Sequence, residues 1–180
     1  MSTGTLIAII VAIVIVLLLC ALVAWTAARR RRLKERFGPE YERAVEDKES
    51  RRAGERELRE REQRHDALEI KPLSATERDR YAEGWSRAQG RFVDEPDDAV
   101  HEADRLVTAL MSERGYPTKG FEQQVSDLSV EHGGTLEHYR VAHDVDVRSS
   151  RHQATTEELR GAMVHYRALF DELLHDGQQR

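Results

Sequence analysis

Residues 6–25 read LIAIIVAIVIVLLLCALVAW, and the chain then turns abruptly to Arg29-Arg30-Arg31-Arg32-Leu33-Lys34-Glu35-Arg36. The first stretch holds no charge, no proline and no glycine. Twenty residues at about 1.5 Å of rise span roughly 30 Å, the thickness of a bilayer core. The β-branched residues are no obstacle, because lipid forces each backbone group to bond within its own helix. The expected fold is therefore all-α, beginning with a transmembrane helix that Leu6, Ile10, Val14 and Leu18 line. Trp25 sits at its far end, at headgroup depth.

Two other uses of such a run fit less well. A cleaved signal peptide carries a basic segment ahead of a shorter apolar run, whereas Met1–Thr5 bears no charged side chain. A lipoprotein site at Leu17-Leu18-Leu19-Cys20 lacks both the small residue before the cysteine and the basic start. No Lys or Arg precedes the run, and a cluster of them follows it. Positive residues stay on the cytoplasmic side. The expectation is a single-pass protein of the plasma membrane, N-terminus outside and the remainder cytoplasmic. Arg29, Arg30, Arg31, Arg32, Lys34 and Arg36 are the membrane-surface residues. They set orientation and are available to anionic lipid headgroups at about 1 kcal/mol each.

The rest of the chain is charge-dense and mildly acidic, with 28 Lys and Arg against 33 Asp and Glu and a net charge of -5. That balance argues against nucleic-acid binding, which needs a net basic face. The single cysteine, Cys20, lies in the apolar run, so the remainder has no thiol for a disulfide, a zinc site or a nucleophile.

The sequence divides into an anchor (1–28), a basic segment ending at a Gly38-Pro39 hinge (29–38), a charged stalk (39–70), a helical bundle (71–176) and a short tail (177–180). The stalk is rich in Glu and Arg, and Asp47/Arg51, Glu55/Arg59, Glu57/Arg61 and Glu60/Arg64 have the acid-before-base i,i+4 order that favours helix. Its apolar residues Tyr41, Val45, Leu58 and Leu68 are too sparse for a heptad seam. A solvated helical spacer is thus favoured over a self-associating coiled coil. Straight, it would hold the bundle up to about 44 Å from the hinge. Gly54 looks like its weak point.

From Lys71 the pattern becomes amphipathic. Ser74-Ala-Thr-Glu77 is a capping box, opening a helix with Tyr81, Trp85, Ala88 and Phe92 on one face. Pro96 starts a helix with Ala99, Val100, Ala103, Leu106, Val107, Leu110 and Met111 inward, and Gly115 ends it as a left-handed cap with Pro117 beyond. A shorter helix is expected from Phe121 to about Val130, with Phe121, Val125 and Leu128 inward. Past His132-Gly133-Gly134, Thr135 is expected to cap a helix carrying Leu136, Tyr139, His143 and Val147. Thr155-Thr-Glu-Glu158 is a second capping box, before a long stripe from Leu159 to Leu174. Five helices in all are expected, with those after Pro96 and Thr155 at the centre.

A set of short phrases runs through most of the chain after the apolar run: Phe37-Gly-Pro-Glu-Tyr41, Pro72-Leu-Ser74, Arg80-Tyr81 with Trp85, Phe92-Val-Asp94, Ala103-Asp104-Arg-Leu-Val107, Arg114-Gly-Tyr-Pro117, Phe121-Glu-Gln-Gln124 and Glu157-Glu-Leu-Arg160 through His165-Tyr-Arg167. They resemble an uncharacterised family of bacterial, actinobacterial-type single-span membrane proteins with an α-helical domain. The resemblance implies one recurring unit after the span, and it brings no activity or catalytic residue with it.

No P-loop, Gly-x-Ser-x-Gly or Gly-x-Gly-x-x-Gly occurs. His101-Glu102 lacks the second histidine of a zinc-protease helix. His138 and His143 fall about 140° apart on a helix and would not share a metal. No cofactor, metal or catalytic residue is therefore expected, and the chain does not read as an enzyme. What remains is a membrane-anchored scaffold for an unknown cytoplasmic protein or a second copy. The alternative is a tethered ligand-binding or enzymatic bundle. Trp85, Tyr116, Tyr139, Arg140, His143 and Tyr166 are the candidate partner or pocket surface, with a polar concavity expected around the last four.

Overall fold

The computed structural model describes residues 3–176, so the expected tail at 177–180 lies outside the described residues. Eight helices and no strand occur among them: α1 (Thr3–Phe37), α2 (Pro39–Glu46), α3 (Arg51–Asp66), α4 (Ala75–Arg91), α5 (Pro96–Arg114), α6 (Phe121–Leu128), α7 (Leu136–Ser149) and α8 (Thr156–His175).

One N-terminal helix is long and apolar enough to cross a membrane. Ile10, Val14, Leu18 and Trp25 are all exposed along it, and the Leu6 side chain lies outside the described residues. The same helix continues unbroken through the arginines, and its last turn enters a folded core. Leu33 and Phe37 are buried with Tyr41, Ala44, Leu58 and Val130. Gly38, at φ 52, turns the chain sharply, and Pro39 starts α2.

Residues 39–70 do not form the expected straight spacer. The helix stops at Asp47, and Ser50 caps a new one by accepting from the Ala53 N–H at 3.3 Å. Asp47 therefore ends α2 while Arg51 begins α3, and the two do not share a helix. The two segments fold into a hairpin, α2 on α3, packed against the end of α1 and against α6. Gly54 is what permits this: a Cβ there would meet the Ala44 carbonyl oxygen at 2.5 Å and Val45 Cα at 2.8 Å. The glycine read as a weak point is the contact point of the hairpin.

The bundle has the five expected helices. Both capping boxes form, at Ser74/Glu77 and Thr155/Glu158, and Gly115 closes α5 at φ 97. Helix α8 lies against α5, α7 and α4, and buries Leu159, Ala162, Met163, Tyr166, Leu169, Phe170, Leu173 and Leu174. Each such large side chain contributes about 1.5–3 kcal/mol. Helix α7 differs from expectation. Its buried face runs through Leu136, Tyr139, Ala142 and Val145 to Ser149, leaving Val147 38% exposed. Thr135 makes no capping bond, and its hydroxyl donates to the His132 carbonyl at 3.2 Å instead. Phe92 and Phe121 are half-buried rather than central.

Candidate functional site

Three places concentrate chemistry. The first is the junction between α1–α3 and the bundle. Most of the basic segment pairs with acids of the folded part. Arg30 meets Glu55 at 3.2 Å, Lys34 meets Glu42 at 2.6 Å, and Arg36 meets Glu62 at 2.7 Å and Asp66 at 2.8 Å. Arg31 and Arg32 pair with Glu35 and Glu62 but keep 83% and 77% of their side chains exposed. Arg29 lies over the Trp25 ring at 5.1 Å. Arg140, expected in a pocket with Tyr139, instead reaches across to Glu40 on α2.

Tyr116 belongs to the same junction. Its hydroxyl is 3.2 Å from His132 Nε2, and His132 Nδ1 is 2.8 Å from Glu172. Burial pushes the Glu172 carboxyl up, but hydrogen bonds from His132 and Thr135 outweigh it and hold the group low. Arg114 is more than a helix end: its buried guanidinium donates to the Leu173 carbonyl at 3.1 Å and to Asp176 at 2.7 Å. Beside it a cavity of about 360 Å³ is lined by His65, Leu68, Ile70, Arg114, Glu131 and Asp176. His65 is 5% exposed, and among the described residues neither ring nitrogen has a hydrogen-bond partner. Burial pushes its pKa down, against the pull of Glu131 at 3.7 Å.

The second place is the seam between α5 and α7, which run antiparallel. From one end to the other Asp97 meets Ser149, His101 meets Asp146, Asp104 meets His143, and Thr108 lies beside Tyr139. From α8 the Tyr166 hydroxyl donates to Asp104 at 2.8 Å, and the Tyr139 hydroxyl donates to Gln124 at 2.7 Å. Phe121 stacks on the His143 ring at 3.9 Å. Burial above all lifts both tyrosine hydroxyls far beyond their usual range, and the nearby Asp104 charge adds to it. Burial also raises Asp146, helped by Asp104 and opposed by His101.

Of the residues singled out in the sequence, Tyr139, His143 and Tyr166 come together here. Arg140, Trp85 and Tyr116 do not. Asp104 and Asp146 were missed and His101 was weighed only against a zinc-protease helix, although a signal existed: His-x-x-Asp occurs at 101–104 and again at 143–146. Such spacing puts both side chains of each pair on one helix face. His138 faces away from the seam and lies 2.7 Å from His165 on α8.

The third place is a groove of about 410 Å³ between α4 and α8, lined by Trp85, Gln89, Phe92, Arg160, Met163, Val164 and Arg167. Trp85 stacks on Phe170 at 4.7 Å, and the Arg167 guanidinium lies over its ring at 5.6 Å. The buried indole N–H has no hydrogen-bond partner among the described residues. Val164 is 60% exposed at the rim. No protein-family model, curated protein or solved structure matches the chain.

Proposed function

We propose that this chain is a single-span membrane protein that holds a helical docking domain directly against the cytoplasmic face of the plasma membrane, for a protein partner. The observation that carries this is the continuity of α1, whose apolar part is exposed while its final turn is core. Only about 12 Å of helix separates Trp25 from Leu33. A domain joined so rigidly is fixed in height and tilt relative to the bilayer, which suits a scaffold. The arginines behind the apolar run give the orientation. Arg31 and Arg32, largely exposed, are free to exchange weak surface pairs for lipid phosphates. The Trp85 groove supplies the docking surface, with an apolar floor, flanking guanidinium groups and an unused N–H donor.

Fusions at Arg180 test the orientation: a fluorescent protein should fluoresce and alkaline phosphatase should stay inactive. Active phosphatase would overturn it. A photo-crosslinking side chain at Val164 should give one discrete adduct in cells that disappears with Trp85→Ala. Adducts of equal yield from Val164 and from a position on the far side of the bundle would remove the groove from the proposal.

A further inference from the structure

Helices α5 and α7 each carry His-x-x-Asp, as His101-Glu-Ala-Asp104 and His143-Asp-Val-Asp146. Their antiparallel packing crosses the two motifs, His101 on Asp146 and His143 on Asp104. We propose that this crossed pair is a binding site for one divalent transition-metal ion of the zinc type, held by Asp104, His143 and Asp146, with His101 orienting Asp146. The site is separate from both the membrane-facing residues and the Trp85 groove, and goes beyond the docking function.

The geometry is close to what such an ion needs. One donor atom each from Asp104, His143 and Asp146 lies within 4.8 Å of the other two. His143 Nδ1 stands 3.4 Å from the Asp104 carboxylate. That is long for an N–H···O bond, and it matches the edge, about 3.3 Å, of a tetrahedron with metal bonds of about 2.0–2.1 Å. His101 Nδ1 touches the Asp146 carboxylate and so orients it from the far side of the seam. One imidazole and two carboxylates, with a fourth position for water, suit zinc and its first-row neighbours, whereas calcium and magnesium favour all-oxygen sets.

The charge balance points the same way. Arginine pairs with acids throughout this chain, yet among the described residues no Lys or Arg pairs with Asp104 or Asp146. Two carboxylates therefore share a half-buried seam with only imidazoles to offset them, and a divalent cation would neutralise both. An outer shell is also in place. The Tyr166 hydroxyl orients Asp104 at 2.8 Å, and Phe121, stacked at 3.9 Å, fixes the plane of His143. Such supports tune metal sites. The four side chains keep between 15% and 30% of their area exposed, which leaves the ion a way in.

The test uses the full chain in detergent micelles, stripped with a chelator and titrated with Zn²⁺ by calorimetry, and with Co²⁺ by absorption. Wild type should bind one Zn²⁺, raise its Tm on binding, and give the intense visible bands of tetrahedral Co²⁺. Asp146→Asn and His143→Gln should each weaken binding by on the order of tenfold or more and abolish the Co²⁺ bands. Asp104→Asn, whose remaining carbonyl still accepts from Tyr166, should do the same. His138→Gln/His165→Gln and Glu131→Gln, which touch the other histidine and acid clusters, should bind as wild type does. The proposal is overturned if wild type shows no site above weak surface binding. It is equally overturned if His143→Gln, with its helicity and metal-free Tm intact, keeps wild-type affinity, or if Glu131→Gln is the variant that loses it.

Discussion

Arg140 on α7 and Glu40 on α2 meet end-on, with bonds of 2.6 and 2.7 Å, across a hundred residues of chain. The acid is buried and the guanidinium nearly so, with side chains 5% and 16% exposed. This pair, Arg36 with Glu62, and the small core around Phe37 tie α1 to the helices that follow it. The predictions below test those ties and the bundle itself.

Removing Arg140 would strand a buried carboxylate. Arg140→Ala should cost about 3 kcal/mol, the lower end for breaking a buried ion pair. Arg140→Lys keeps the charge but loses the planar fork, and should fall between. Chemical unfolding in micelles measures the cost, and limited proteolysis should release the 39–66 hairpin first. Equal stability of Arg140→Ala and wild type would show the pair to be idle.

Gly54 and Gly161 should respond in opposite directions. Gly54→Ala drives a methyl into backbone atoms of α2 and should destabilise by about 1–3 kcal/mol. At Gly161, within α8, an added Cβ meets nothing within 4 Å. Gly161→Ala should therefore stabilise by about 0.5–1 kcal/mol. Paired melting curves decide both. A harmless Gly54→Ala would deny the close approach of α2 and α3.

His65 makes stability depend on pH. Its folded pKa lies below the usual imidazole value of about 6.5, because burial outweighs the attraction of Glu131 and Asp66, and Arg36 pushes the same way as burial. Below about pH 6.5 the unfolded chain takes up a proton that the folded one resists, so the contribution is complete above that pH and shrinks as pH falls. His65→Leu should flatten Tm against pH between about 7 and 5 and leave Tm at neutral pH equal or higher. What slope remains should include His165, which partial burial and then the neighbouring His138 also depress. A wild-type slope in His65→Leu would exonerate this residue.

Two threonines that look alike in sequence should behave differently. Thr155 accepts from the Glu158 N–H at 3.3 Å, and Glu158 answers by accepting from the Thr155 N–H at 2.7 Å. Thr155→Ala should cost about 1 kcal/mol. Thr135 makes no capping bond, and its hydroxyl serves the His132 carbonyl and Glu172 instead, so Thr135→Ala should cost about 0.5 kcal/mol, the lower end for a lost hydrogen bond, and leave the start of α7 intact. Urea midpoints of the two variants, measured side by side, check the contrast.

Local signals carried most of the helix boundaries. Pro96, Gly115 and the two capping boxes act through bonds a few residues long, and the sequence displays them directly. The stalk was misread for the opposite reason. Its apolar residues are few, and Phe37, Leu58 and Val130 form a core only once three separate segments meet. The candidate site was half legible. Tyr139, His143 and Tyr166 were expected together, with Arg140 wrongly added, whereas Asp104 looked like one more acid in a charged chain until Tyr166 and His143 closed on it.

By itself the sequence determined that a long apolar helix opens the chain and that amphipathic helices follow, because periodicity, caps and the length of an apolar run are properties of neighbours along the backbone. Only the tertiary structure decided that the charged segment folds back, that Arg140 serves Glu40, and that two His-x-x-Asp motifs cross. Those outcomes depend on which helix faces meet and in which direction, and the burial that fixes them is shared between segments far apart in the chain.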